Sequence, residues 1–165
     1  MLTLLMKFLK VLNSEQSSNQ LAFAISFSAI LGLTPLLSLH NAIICIIVLS
    51  FRINLTLLMI SYPLFALIGY LLSPTFESVG LLVLQEPQLL NIWESFFNTL
   101  IGRWSNFYYS GVMGSFVISI ILSVILFPIV KLLVHSYRNN WKVNIEKLKV
   151  VKVLKASKLW QFYHS

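Results

Sequence analysis

The carboxylates of this chain are Glu15, Glu77, Glu86, Glu94 and Glu146, and there is no aspartate. General acid–base chemistry needs two titratable groups held within reach of one substrate. No pair of these glutamates falls at a spacing that shares a helix face. His40, His135 and His164 have no carboxylate or cysteine near them at a metal-ligand spacing. Cys45 is the only cysteine, which excludes an internal disulfide. Set in Ile43-Ile44-Cys45-Ile46-Ile47, it reads as a small buried hydrophobe. There is no Gly-rich phosphate loop and no G-x-S-x-G elbow. These absences argue against an enzyme, and nothing in the sequence implies a cofactor or a metal.

The informative polar groups lie inside an apolar run. Residues 16–51 extend for 36 positions without Asp, Glu, Lys or Arg. Gly32, Thr34 and Pro35 break that run in its middle. As one helix, Leu21 to Phe51 would be about 46 Å long, against a hydrocarbon core of about 30 Å. Proline removes an amide donor and disfavours helical geometry before it. The segment is therefore expected to fold back at membrane depth. Ser38, His40 and Asn41 follow the break, while Arg52 and Asn54 close the second arm. Freed backbone at membrane depth needs partners. These side chains either satisfy that backbone or line a polar pocket open to the cytoplasmic leaflet, where Arg52 would meet a lipid phosphate.

Composition places those groups in a membrane. Of 165 residues, 58% are hydrophobic and only 10% charged, and the mean hydropathy is +0.84; a soluble domain averages about 25% charged. The expected architecture is an all-α integral membrane protein: two full transmembrane helices, a broken re-entrant hairpin, an interfacial amphipathic helix and a basic cytoplasmic tail. Residues 1–136 form the membrane domain, with the hairpin at 21–51, spans at 55–72 and 107–134, and the interfacial helix at 87–101. Apolar spacing over residues 1–12 suggests a short surface helix, and Ser18 or Asn19 would cap the next one.

Within 87–101, apolar side chains recur at helical spacing opposite a polar face. Trp93, Phe96, Phe97 and Trp104 would face either the membrane–water interface or a partner; packing against the rest of the chain is an equal reading. On the last span, Gly111, Ser115, Ser119 and Ser123 recur every four residues, a small-residue seam that lets another helix approach.

Charge sets the expected topology. Eight of the twelve basic residues lie from Lys131 onward, against one acid there, Glu146. The tail, residues 137–165, carries Lys142, Lys147, Lys149, Lys152, Lys155 and Lys158. Such a stretch beside a span points to anionic lipid on the cytoplasmic side and not to nucleic acid. Its secondary structure, strand or helix, stays open. Residues 73–103 hold Glu77, Glu86 and Glu94 with only Arg103, so they should face outward. Both termini are then cytoplasmic, which requires an even number of crossings. A hairpin plus two spans satisfies this, as do four crossings with two short, tilted helices.

The stretch AFAISFSAILGLTPLLSLHNAIICIIVLSFRINLTLL, followed by SYPLFALIGYLL, resembles a family of small, functionally uncharacterised bacterial inner-membrane proteins. That pattern has a Gly-x-x-Pro break, matched by Gly32 and Pro35, and an Arg-x-Asn corner, matched by Arg52 and Asn54. It then has an Asn-Pro, from which this chain departs because Tyr62 precedes Pro63. The resemblance covers residues 20–72. The rest resembles a subgroup from bacteria with outer membranes, encoded in a two-gene pair with a much larger envelope protein. It implies a hetero-complex: a non-enzymatic subunit anchoring a periplasm-spanning partner and passing phospholipid to it. The alternative is a small transporter or channel that uses the broken helices as its binding site; no acidic residue lies within the spans to couple ions.

Overall fold

Capping side chains set where the helices begin. In the computed structural model, which describes Val11 and residues 16–141, helix α1 (Ser18–Leu33) starts under Ser17. The Ser17 hydroxyl accepts from the Gln20 amide, and the Gln20 side chain accepts from the Ser17 amide. This reciprocal pair satisfies two orphan donors at once, so the cap lies just before the expected Ser18 or Asn19. Helix α1 stops because Pro35 forces Thr34 into extended backbone. Helix α2 (Leu39–Ser50) starts under Ser38, and α3 (Leu55–Leu71) under Asn54, whose Oδ1 accepts from the Leu57 amide at 2.6 Å.

The segment expected at 55–72 stops at Leu71, and Pro74, just past its end, also opens a further helix, α4 (Ser73–Gln85). Proline lacks a donor that the first turn leaves unused anyway. The new helix turns 72° from α3 at Leu72. The helix expected over 87–101 is two: α5 (Leu90–Phe97) and α6 (Leu100–Ser105). Thr99 separates them, because its backbone is extended and its hydroxyl caps α6 by accepting from the Gly102 amide at 3.0 Å. The helix expected as the last span is α7 (Ser110–Ser136), three residues later at its start than expected. A π-helical turn, Tyr137–Trp141, follows it. Among the described residues there are these seven α-helices and no strand. The surface helix expected at 1–12, Val11 apart, and Lys142, Lys147, Lys149, Lys152, Lys155 and Lys158 lie outside the described residues.

Helix α1 is the centre of the packing, with α3 on one side and α7 on the other, while α4 lies across α7. Asn54 and Arg138 both bond to Gln16 at one end, and Gly32 meets Gly69 near the other. Helices α1 and α3 therefore run in the same direction and α7 runs back. Two glycine crossings bring backbones close. A β-carbon on Gly32 would lie 2.7 Å from Phe65 Cβ, and one on Gly114 would lie 1.8 Å from the Phe76 carbonyl oxygen.

The interior is small and partly polar: Ala22, Ala24, Ser28, Ala29, Ser61, Ser115 and Ser119 are buried. The exterior is large and apolar, with Leu37 94% exposed, Met59 75% and Leu49 74%. Soluble monomers rarely show so much contiguous apolar surface, whereas small residues between helices are how packing works in lipid. One described helix, α7, is long and apolar enough to cross a membrane; α3 with α4 would make a second if the bent pair is one span.

Candidate functional site

The break between α1 and α2 is closed by a knot of side-chain hydrogen bonds. Asn41, only 2% exposed, donates through Nδ2 to the Pro35 carbonyl at 2.9 Å. Its Oδ1 lies 2.9 Å from the Thr34 hydroxyl, which shares its one proton with the Ile30 carbonyl at 2.7 Å. The Ser38 hydroxyl accepts from the Asn41 amide and pairs with His40 Nε2 at 2.9 Å. The Pro35 carbonyl, which lies outside both helices, thus finds a partner, and the Ile30 carbonyl, still bonded to the Thr34 amide at 3.2 Å, takes the Thr34 hydroxyl as a second donor.

His40 fills the space beside this knot. Its ring is stacked 5.4 Å from Phe107 and tilted 5.1 Å from Phe116, and Nδ1 is buried with no hydrogen-bond partner among the described residues. The same aromatic contacts continue outward. Phe107 lies 6.4 Å from Phe96, and Trp93 lies 6.0 Å from Phe97. Trp93 Nε1 donates to the Val83 carbonyl at 3.0 Å, which ties α5 back onto the end of α4. Trp93, Phe96 and Phe97 therefore turn inward, while Trp104 is 73% exposed beside exposed Leu100 and Ile101. At the start of α7 the neighbouring Tyr109 hydroxyl holds the Tyr108 phenol above the usual phenol range.

Thr34, Ser38, His40 and Asn41 come together, but Arg52 and Asn54 do not join them. His40 and Asn41 lie in the first turn of α2 and Arg52 lies just past its end, so the rest of that helix, about 14 Å of rise, separates the two sets. A single pocket containing all six is not formed. Arg52 is exposed and makes no hydrogen bond or ion pair among the described residues. Asn54 is buried and donates to the Gln16 side chain, and Arg138 Nη1 donates to the Gln16 carbonyl at 2.7 Å.

A cleft of about 420 Å³ lies at the tip, between the ends of α1 and α3 and the starts of α4 and α7. Thr34, Pro35, Gly111 and Ser115 are among the residues lining it. The seam residues divide accordingly. Ser115 and Ser119 are buried, Ser123 is half-buried, and Gly111 faces the cleft without touching another helix. The close backbone approach on α7 belongs instead to Gly114 against Phe76 and Gly80. Among the described residues no three His, Cys, Asp or Glu side chains gather as a metal site would require.

Over residues 3–142 the chain matches the family described as "uncharacterized protein conserved in bacteria (DUF2062)". It belongs to that family. No curated protein and no solved structure matches the chain. The DUF2062 match reaches far past residues 20–72, so the aromatic layer, the cleft and the whole of α7 fall inside the family region. Several residues of the site are visible only in three dimensions. Gly69, Gly80 and Gly114 carried one signal in the sequence, since glycine inside a helix costs about 1 kcal/mol against alanine and so marks a packing need. Phe107 and Phe116 carried none that tied them to His40.

Proposed function

We propose that this DUF2062 protein is a non-enzymatic, multi-pass subunit of the bacterial inner membrane, with both termini in the cytoplasm. In this reading it anchors a large, periplasm-spanning envelope protein and passes phospholipid to it. The observation that carries the membrane assignment is the reversal of polarity: buried Ser28, Asn41, Ser115 and Ser119 against exposed Leu37, Leu49 and Met59. Two full spans, α3 and α7, and the α1–α2 hairpin make the crossings even. The Arg138–Gln16 contact supports termini on one side, because it joins the entry to α1 with the exit from α7. Lysines crowd the chain after that exit, which favours the cytoplasm. The partner rests on the resemblance to a subgroup paired with a large envelope protein. The exposed Leu100, Ile101 and Trp104 on the outer side offer it an apolar surface.

A second reading, a small transporter or channel, is favoured by the cleft beside a broken helix. Purification from the native host in mild detergent separates the two. Recovery of a large envelope protein together with phospholipid supports the anchor; a homo-oligomer that moves solute across liposomes supports the transporter.

A further inference from the structure

Gly111 is unlike the glycines at the helix crossings. A β-carbon there meets no atom within 4 Å, whereas at Gly32 or Gly114 it would collide with a neighbouring helix. Gly111 is not needed for two helices to touch. What its missing side chain leaves open is the cleft at the hairpin tip.

We infer that this cleft holds one acyl chain of a membrane glycerolipid, with the ester region against Tyr70 and Ser73. The inference rests on the phospholipid-carrying reading above and names the site where it happens. No charged side chain lines the cleft, so an inorganic anion, a cation or an acidic peptide would enter without a counter-charge. Its lining is mostly apolar, with Leu33, Phe76 and Val112 beside Gly32, Ala66 and Gly111, an open slot. The volume, about 420 Å³, lies in the range of pockets that enclose small ligands. The slot opens onto the exposed apolar surface that continues through Leu67 and Leu71, the surface that lipid tails already cover in this reading. Tyr70 and Ser73, three residues apart at the α3–α4 joint, both line it, and neither hydroxyl bonds to another described residue. Two unpaired hydroxyls beside an uncharged slot match an ester carbonyl followed by a hydrocarbon chain.

The test uses the purified full chain in mild detergent with a phosphatidylethanolamine that carries a diazirine on one acyl chain. Photolysis is followed by mapping of labelled peptides. Labelling in residues 66–76 and 109–115 is expected to saturate and to be displaced by unlabelled phosphatidylethanolamine. Labelling around Val124 and Ile125, exposed along α7, should rise linearly with probe. Gly111→Phe is expected to cut the saturable labelling by about tenfold and leave the linear part alone. Cleft labelling that never saturates in the native sequence overturns the proposal, whether or not the variant folds. So does saturable labelling that persists in a Gly111→Phe protein eluting like the parent. Saturable labelling without a large co-purifying protein sinks the anchoring reading and leaves the acyl site standing; a partner without saturable labelling does the reverse.

Discussion

Gly32 and Gly69 stack backbone on backbone where α1 passes α3: a β-carbon on Gly69 would stand 3.2 Å from the Gly32 carbonyl oxygen. On Gly32 itself the added atom would come 2.9 Å from the Tyr62 carbonyl oxygen. Neither helix can yield without moving away from the other. Gly32→Ala should therefore lower stability by about 1–3 kcal/mol, the usual cost of overpacking. Gly114→Ala should cost more, because the obstacle 1.8 Å away is backbone. Gly111→Ala should stay within about 0.5 kcal/mol of the parent. Thermal unfolding of the three variants in one detergent orders them, and equal midpoints would refute the crossings.

The hairpin tip depends on one amide. Asn41→Leu removes the donor to the part-buried Pro35 carbonyl and the acceptor for Thr34, at about 1 kcal/mol for each hydrogen bond lost. Hydrogen exchange should accelerate over residues 30–41 while α3 and α7 keep their protection. Uniform exchange in variant and parent would mean that the knot does not hold the break.

At the opposite end Asn54 does two things, capping α3 and bonding to Gln16. Asn54→Ala should cost about 1 kcal/mol as a lost cap, plus what the Gln16 bond contributes. Gln16→Ala removes only the second part. The double variant should lose less than the sum, since both changes delete one shared bond; strict additivity in unfolding free energies would rule the bond out.

Cys45 reports on the membrane directly. Its apolar setting suggests a small buried hydrophobe, but it is exposed on α2 beside exposed Ile43 and Ile46, because only Ile44 and Val48 of that stretch turn into the core. In intact membrane vesicles of either orientation a charged, impermeant maleimide should leave it unlabelled, and denaturation in detergent should expose it. Labelling from either side of a sealed vesicle would place that helix face in water.

What the sequence disclosed follows from where the physics is local. Pro35 forces α1 to stop within two residues, and Ser38 and Asn54 announce helix starts through their own side chains, so these boundaries can be read directly. Pro74 is ambiguous by the same chemistry, since one residue both stops a preceding helix and suits the first turn of the next; only packing on α7 brings in the second. The seam was harder. A four-residue repeat marks Gly111 and Ser115 as one stripe, but α7 meets α1 on one face and α4 on another, and Gly114 belongs to the second. Crossing angles decide which stripe is used, and no single helix carries that information. His40 shows the same limit, because its neighbours Phe107 and Phe116 are remote in the chain and arrive only with the start of α7.

Helix α1 has 16 residues, or about 24 Å of rise. In the membrane assignment proposed here it stands in a hydrocarbon layer about 30 Å thick. As one arm of a re-entrant hairpin it turns back about 6 Å short of the far face. The α1 tip lines the cleft, so a lipid tail held there already lies near one edge of the hydrocarbon layer and has little of it left to clear on its way out.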